Sequence, residues 1–274
     1  MSDSKINMMS GWSPDSPLAT IVSRETKDFP DVLAHETRVA GVSEKIGTII
    51  GMDAAEIAIL SFAARLHDVG KMLIPTSILR KPGRLDAEER AIVETHAKKG
   101  AEMLACVPGM SQDAIDVAMH HHERYDGFGY HGLSGEDIPF KARIVAIADV
   151  YDALSAKRDY KDAMLEGQVL SLMTADAASG RVLGRRAFDP VLLRFFVQSR
   201  LMDADADIGN QYRDDLEAYA YSAPESDLSE DLACRVSFSG NGDRTILDEF
   251  RREVVSLNLA GVPVDRLQLE RSIA

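Results

Sequence analysis

Cysteine is nearly absent from this 274-residue chain, which carries only Cys106 and Cys234. Two thiols exclude a disulfide-dense secreted scaffold and any zinc site built on four cysteines. Long apolar runs are absent too: nothing approaches the ~18 consecutive apolar residues that mark a membrane-spanning helix. The opening MSDSKINMMSGWSPDSP has one lysine and no apolar core, so no signal peptide is expected and the expected compartment is the cytoplasm. Basic residues are scarce relative to acids, 31 against 44, for a formal net charge of −13. Such a surface argues against long nucleic acids as partners, because non-specific binding to them relies on basic surface. A long internal repeat is also missing.

The charge is unevenly spread. Residues 1–140 carry 14 basic and 21 acidic groups (14 − 21 = −7), and residues 141–200 carry 10 and 7 (10 − 7 = +3). Residues 201–232 carry one basic group against ten acids (1 − 10 = −9), and residues 233–274 balance at six and six. The acidic stretch reads as a solvated linker, 201–232, between a main domain and an appendage.

With 45% hydrophobic residues the chain can build a full core, and its periodicity is almost entirely helical. Val39, Val42, Ile46 and Ile49 share one helix face, which His35 extends by a turn. Asp53 with Glu56, and Asp86 with Glu89, have capping-box spacing and each opens a helix. Ser111 is the expected N-cap of QDAIDVAMHHHE, and a glycine-rich loop follows over 126–135. Further helices are expected over 141–156, over 162–179 and after Asp189-Pro190. Beyond residue 200 the pattern weakens to DDLEAYAY, a short CRVSF strand and an amphipathic helix over 245–259. The expected fold is an all-α helical bundle with a small C-terminal appendage.

Six of the seven histidines fall within 35–122, several where a buried helix face would call for an apolar residue. A single such histidine is ordinarily a satisfied core or surface residue. The combination is different. His35, His67, His96, His121 and His122 with Asp68 and Asp149 offer five imidazoles and two carboxylates from successive helices or helix ends. Burying them without a partner would be costly, and imidazole with carboxylate suits iron, manganese or zinc. No thiolate accompanies them, which disfavours a structural zinc site. Together they read as a polynuclear metal site inside a helical bundle.

The segment HDVGK, His67 to Lys71, resembles the HDxGK signature of HD-domain metal-dependent phosphohydrolases. HHERYDGFGYHGL, from His121 to Leu133, is similar to the HHExxDGxGYPxGL signature of the HD-GYP subfamily. KARIVAIADVYDALSAKRDYK resembles the block that follows it there, and FDPVLLRFF the closing segment. The resemblance covers roughly residues 20–200. The resulting division is an N-terminal segment 1–19, a catalytic domain 20–200, the linker 201–232 and an appendage 233–274.

That resemblance implies metal ligands at His35, His67, Asp68, His96, His121, His122 and Asp149, with Asp68 bridging two divalent cations, iron or manganese favoured. Asp31 stands one turn before His35, where some members place a glutamate on a third metal; its alternative is an acid favoured by the helix dipole. Lys71 would reach the substrate phosphate or the nucleophile. Tyr130 would line the substrate site, and Arg158 and Lys161 would grip phosphates. Asp152 would orient a ligand. His120, about 100° around the helix from His121, is placed outside the site. The implied reaction is attack of a metal-bridging hydroxide on phosphorus, opening cyclic di-GMP to linear pGpG, with further cleavage to GMP left open.

One departure stands out: the motif's proline after Tyr130 is His131 here. Losing proline's fixed φ predicts a looser loop and puts substrate affinity in doubt. Two alternatives remain beside the enzyme: a catalytically weak cyclic di-GMP sensor or partner-docking module, and a phosphodiesterase for another cyclic dinucleotide. Residues 233–274 would either pack on the core or support a homodimer or a signalling-protein contact.

Overall fold

The computed structural model describes residues 16–156, 164–175 and 184–221. Among them secondary structure is helical, with no strand. In chain order the helices are α1 (Pro17–Asp28), α2 (Pro30–Ile49), α3 (Ala54–Ala64), α4 (Thr76–Leu79), α5 (Ala87–Ala105) and α6 (Gln112–His120). They continue as α7 (Phe140–Ser155), α8 (Glu166–Thr174), α9 (Pro190–Met202) and α10 (Asn210–Tyr221). Short 3-10 turns lie at Val69–Leu73, Gly135–Asp137 and Arg185–Ala187. No described helix is long and apolar enough to cross a membrane.

The helix starts follow local chemistry. Asp86 accepts from the Glu89 amide at 2.9 Å while Glu89 reaches back to the Asp86 amide at 3.0 Å, closing a capping box. Asp53 and Glu56 do the same at the start of α3. Ser111 caps α6 through the Ala114 amide. Asp189 accepts from Val191 and Leu192 ahead of Pro190 at N1 of α9.

The chain divides into two compact units. The first holds residues up to 45 and 57–153, with Leu18, Val39, Leu60, Leu66, Val69, Leu104 and Val117 in its core. Within it, Ile144, Val145, Ile147 and Ala148 of α7 are all fully buried, so this helix is enclosed rather than amphipathic. All the histidines lie in this unit.

The second unit holds 46–56 and the described residues from 154 onward, cored by Val169, Leu170, Met173, Leu193, Phe196 and Leu216. Here the expected solvated linker is corrected in part. Residues 210–221 form α10, whose Leu216 and Ala220 are buried, and the Gln198 side chain donates to the Ala220 carbonyl at 2.8 Å. The acids of this stretch occupy the outer face of an amphipathic helix, which a net-charge count does not distinguish from a linker. The expected strand and helix beyond residue 232 lie outside the described residues; of the helix expected over 162–179, α8 forms Glu166–Thr174, while 162–163 and 176–179 lie outside them.

Candidate metal centre

His67 and Asp68 follow α3 directly and lead into the 3-10 turn Val69–Leu73. Gly70 lies against the backbone of α5: a Cβ there would fall 2.0 Å from the His96 carbonyl oxygen and 2.6 Å from the Gly100 nitrogen. Only glycine permits this approach, which sets Asp68 beside His96. His121 and His122 follow the last residue of α6. The helix ends one residue short of them, and His121 Nδ1 lies 3.1 Å from both the Val117 and Ala118 carbonyls. The His121 amide bonds the same Val117 carbonyl at 3.0 Å, so backbone and side chain together close the last turn of α6.

The other imidazoles are aimed in the same manner. His67 Nδ1 bonds the Ala64 carbonyl and His96 Nδ1 the Val93 carbonyl, each at 2.7 Å. His35 Nδ1 bonds Asp152 Oδ2 at 2.7 Å. Carbonyl and carboxylate oxygens only accept, so each Nδ1 carries the proton and the opposite nitrogen, Nε2, turns inward.

Asp68, 1% exposed, lies between two sets of these nitrogens. Its Oδ1 is 3.2 Å from His96 Nε2 and 3.7 Å from His121 Nε2. Its Oδ2 is 3.4 Å from His67 Nε2 and 3.6 Å from His35 Nε2, and pairs closely with Lys71 Nζ. Asp149 Oδ1 is 3.0 Å from His35 Nε2, and Oδ2 is 3.9 Å from His122 Nδ1. Three groups of donor atoms result: Asp68 with His96, His121 and His122; Asp68 with His35 and His67; and Asp149 with His67 and His121.

These residues fit divalent cations. His67 Nε2 and Asp68 Oδ1 are buried polar atoms without a hydrogen-bond partner. His96 Nε2 and His121 Nε2 face each other at 3.3 Å, yet both Nδ1 atoms are already committed as donors. Two lone pairs at that distance repel unless a cation or proton lies between them, and buried polar atoms ordinarily have partners.

Titration in this site is strongly biased. Burial drives His121 down to about 4 against the pull of Asp68, and it also holds His122 well below the usual imidazole range with help from His121. Both are therefore neutral donors at pH 7. Burial also lowers His35, but its bonds to Asp149 and Asp152 outweigh that and raise it to about 9. Asp68 is held ionised, since Lys71 and His67 overcome the opposing effect of burial. Lys71 is buried too, yet the Asp68 and Asp149 charges hold it above its usual range as an ammonium.

Tyr130 is part of the roof over this cluster, its ring centroid 4.6 Å from that of His122 and 6.3 Å from that of His96. Asp152 touches His35 as expected. Asp31 is exposed in the first turn of α2 and joins none of the donor groups. His120 likewise stays out of them, its ring lying against His131. Arg158 and Lys161 lie outside the described residues. Two residues escaped sequence reasoning. Arg38 grips Asp152 with Nε at 2.7 Å and Nη2 at 2.9 Å, and buried Glu123 binds the glycine-rich loop. Arg38 could have been found from its place one turn after His35.

Residues 22–182 match the family profile described as HD domain. The chain belongs to the HD-domain family. With HDVGK and HHERYDGFGYHGL in place, it is an HD-GYP member of that family. This HD domain is 42% identical over 167 residues to 3'3'-cGAMP-specific phosphodiesterase 2 of Vibrio cholerae, covering 60% of this chain and 31% of that protein. It is 41% identical over 160 residues to the cyclic di-GMP phosphodiesterase response regulator RpfG of Xanthomonas campestris, covering 57% of this chain and 41% of the relative. The chain thus spans less than half the length of these curated relatives. HD-domain phosphohydrolases use divalent metals, and this HD domain has the donor set for them.

Proposed function

We propose that this protein is a metal-dependent phosphodiesterase that hydrolyses a cyclic dinucleotide, with cyclic di-GMP as substrate and linear pGpG as first product. The observation that carries this reading is Asp68, buried with one carboxylate oxygen toward each of two imidazole sets and Lys71 beside it. The named activities of the relatives support the substrate class.

His35, His67, Asp68, His96, His121, His122 and Asp149 would hold two divalent ions, iron or manganese in view of the nitrogen and oxygen donors. Bound there, such ions acidify water and neutralise phosphoryl oxygens. The protein's own groups do the rest. Lys71, its side chain 24% exposed, presents an ammonium that donates to a phosphoryl oxygen or to the attacking water. Tyr130, half open above His122, meets a base or phosphate entering from solvent. Arg158 and Lys161 are the cations that the family resemblance assigns to the substrate phosphates, a task to which an arginine fork is suited.

The test is anaerobic purification, elemental analysis and product chromatography with cyclic di-GMP and 3'3'-cGAMP under Mn or Fe. Linear product from wild type and none from Asp68→Ala is expected. Tight binding without product would favour the sensor reading, and cleavage of 3'3'-cGAMP alone would reassign the substrate.

A further inference from the structure

Glu123, one of the two acids of HHERYDGFGYHGL, is buried and joins none of the metal-donor groups. It is only 4% exposed. Its Oε1 accepts the His131 amide at 2.7 Å and its Oε2 the Leu133 amide at 3.1 Å. The loop lies directly on it: a Cβ at Gly129 would fall 2.4 Å from Glu123 Cα and 2.5 Å from Oε2. Between the Gly129 contact and the His131 bond sits Tyr130, the residue that covers His122. The rest of the loop is closed by its own bonds. Arg124 pairs with Asp126 through Nε at 2.9 Å and Nη2 at 2.6 Å, and the Gly135 amide reaches the Tyr125 carbonyl at 2.9 Å.

We propose that Glu123 is a positioning residue: its carboxylate clamps the amides of His131 and Leu133 and so fixes the Tyr130 ring over the donor cluster. The clamp explains how this chain tolerates histidine where its motif carries proline. Proline has no N–H, so a proline at 131 could not make the shorter of the two bonds. The expected loosening of the loop is thereby offset, because the backbone donor that histidine restores is taken by a buried charged acceptor, among the stronger kinds of hydrogen bond. The His131 ring adds an edge contact to His120, with centroids 5.8 Å apart. The consequence for substrate rests on the phosphodiesterase reading; the clamp itself does not.

The experiment pairs amide hydrogen exchange with kinetics on the whole chain. In Glu123→Gln only one carboxamide oxygen can accept, so exchange at His131 or Leu133 should speed by about tenfold or more, a bond to a charged acceptor being lost. KM for cyclic di-GMP should rise by about tenfold while kcat stays within about threefold, and bound Mn should be unchanged. His131→Pro, a milder change should Glu123→Gln fail to fold, removes one donor and should raise KM in the same direction. Glu123→Gln should then cost less in the His131→Pro background than in wild type. Wild-type exchange at both amides in Glu123→Gln, or fully additive effects on KM, would overturn the clamp. Accelerated exchange in a protein that cleaves no cyclic dinucleotide would uphold the clamp and overturn the phosphodiesterase reading.

Discussion

His35 donates its Nδ1 proton to Asp152 at 2.7 Å, although 117 positions separate them in the chain. Arg38, on the same helix as His35, holds the other side of that carboxylate. A three-residue chain from solvent inward therefore fixes the ring whose Nε2 faces Asp149 and Asp68.

Arg38 is half exposed, so removing it should cost little stability. Its effect should fall on the site. Arg38→Ala is expected to weaken Mn binding by about 10-fold or more, with the melting temperature of metal-stripped protein little changed. Metal titration beside thermal unfolding separates the two readouts.

The pH dependence of metal binding follows from His35. Its pKa is raised to about 9 by Asp149 and Asp152, so at pH 7 the nitrogen needed by a cation carries a proton. That proton must leave on binding. Affinity should rise with pH up to about 9 and level above it, and calorimetry at pH 7 in buffers of different ionisation enthalpy should detect proton release. In His35→Gln the release should shrink.

Metal removal should destabilise the first unit. A cation at about 100 times its Kd adds about 2.7 kcal/mol to the form that binds it. For a chain of this size that is on the order of 5–10 °C in melting temperature. Chelation should lower the Tm of wild type by such an amount and leave Asp68→Ala unmoved. A Tm of wild type indifferent to Mn and chelator alike would remove the metal centre.

Gly70→Ala places a Cβ inside the His96 backbone, 2.0 Å from its carbonyl oxygen. The 3-10 turn must then lift off α5, at an expected cost of about 1–3 kcal/mol by analogy with overpacked cores. Urea unfolding measures that cost. Because the same shift parts Asp68 from His96, Mn affinity should fall with it.

Much of this was legible in one dimension. The capping pairs at Asp53 and Asp86 and the caps at Ser111 and Asp189 sit within three residues of the amides they satisfy, so spacing alone reveals them. The donor residues were legible because histidines at core-facing positions are conspicuous. Arg38 and Glu123 were not, since an exposed arginine and an acid beside two histidines look ordinary until their partners at 152, 131 and 133 arrive. The stretch 210–221 misled because its acids outweigh two buried apolar residues in any charge count.

Taken alone, the sequence determined the helical character, the helix starts and the chemical kinds of donor available, because each depends on neighbours a few residues away. Only the tertiary structure decided which nitrogen of each histidine turns inward, which oxygen of Asp68 meets which pair of rings, and that a missing proline is answered by a buried glutamate. Those outcomes depend on carbonyls and carboxylates brought together from distant segments, and a hydrogen bond exists only where both partners arrive at bonding distance.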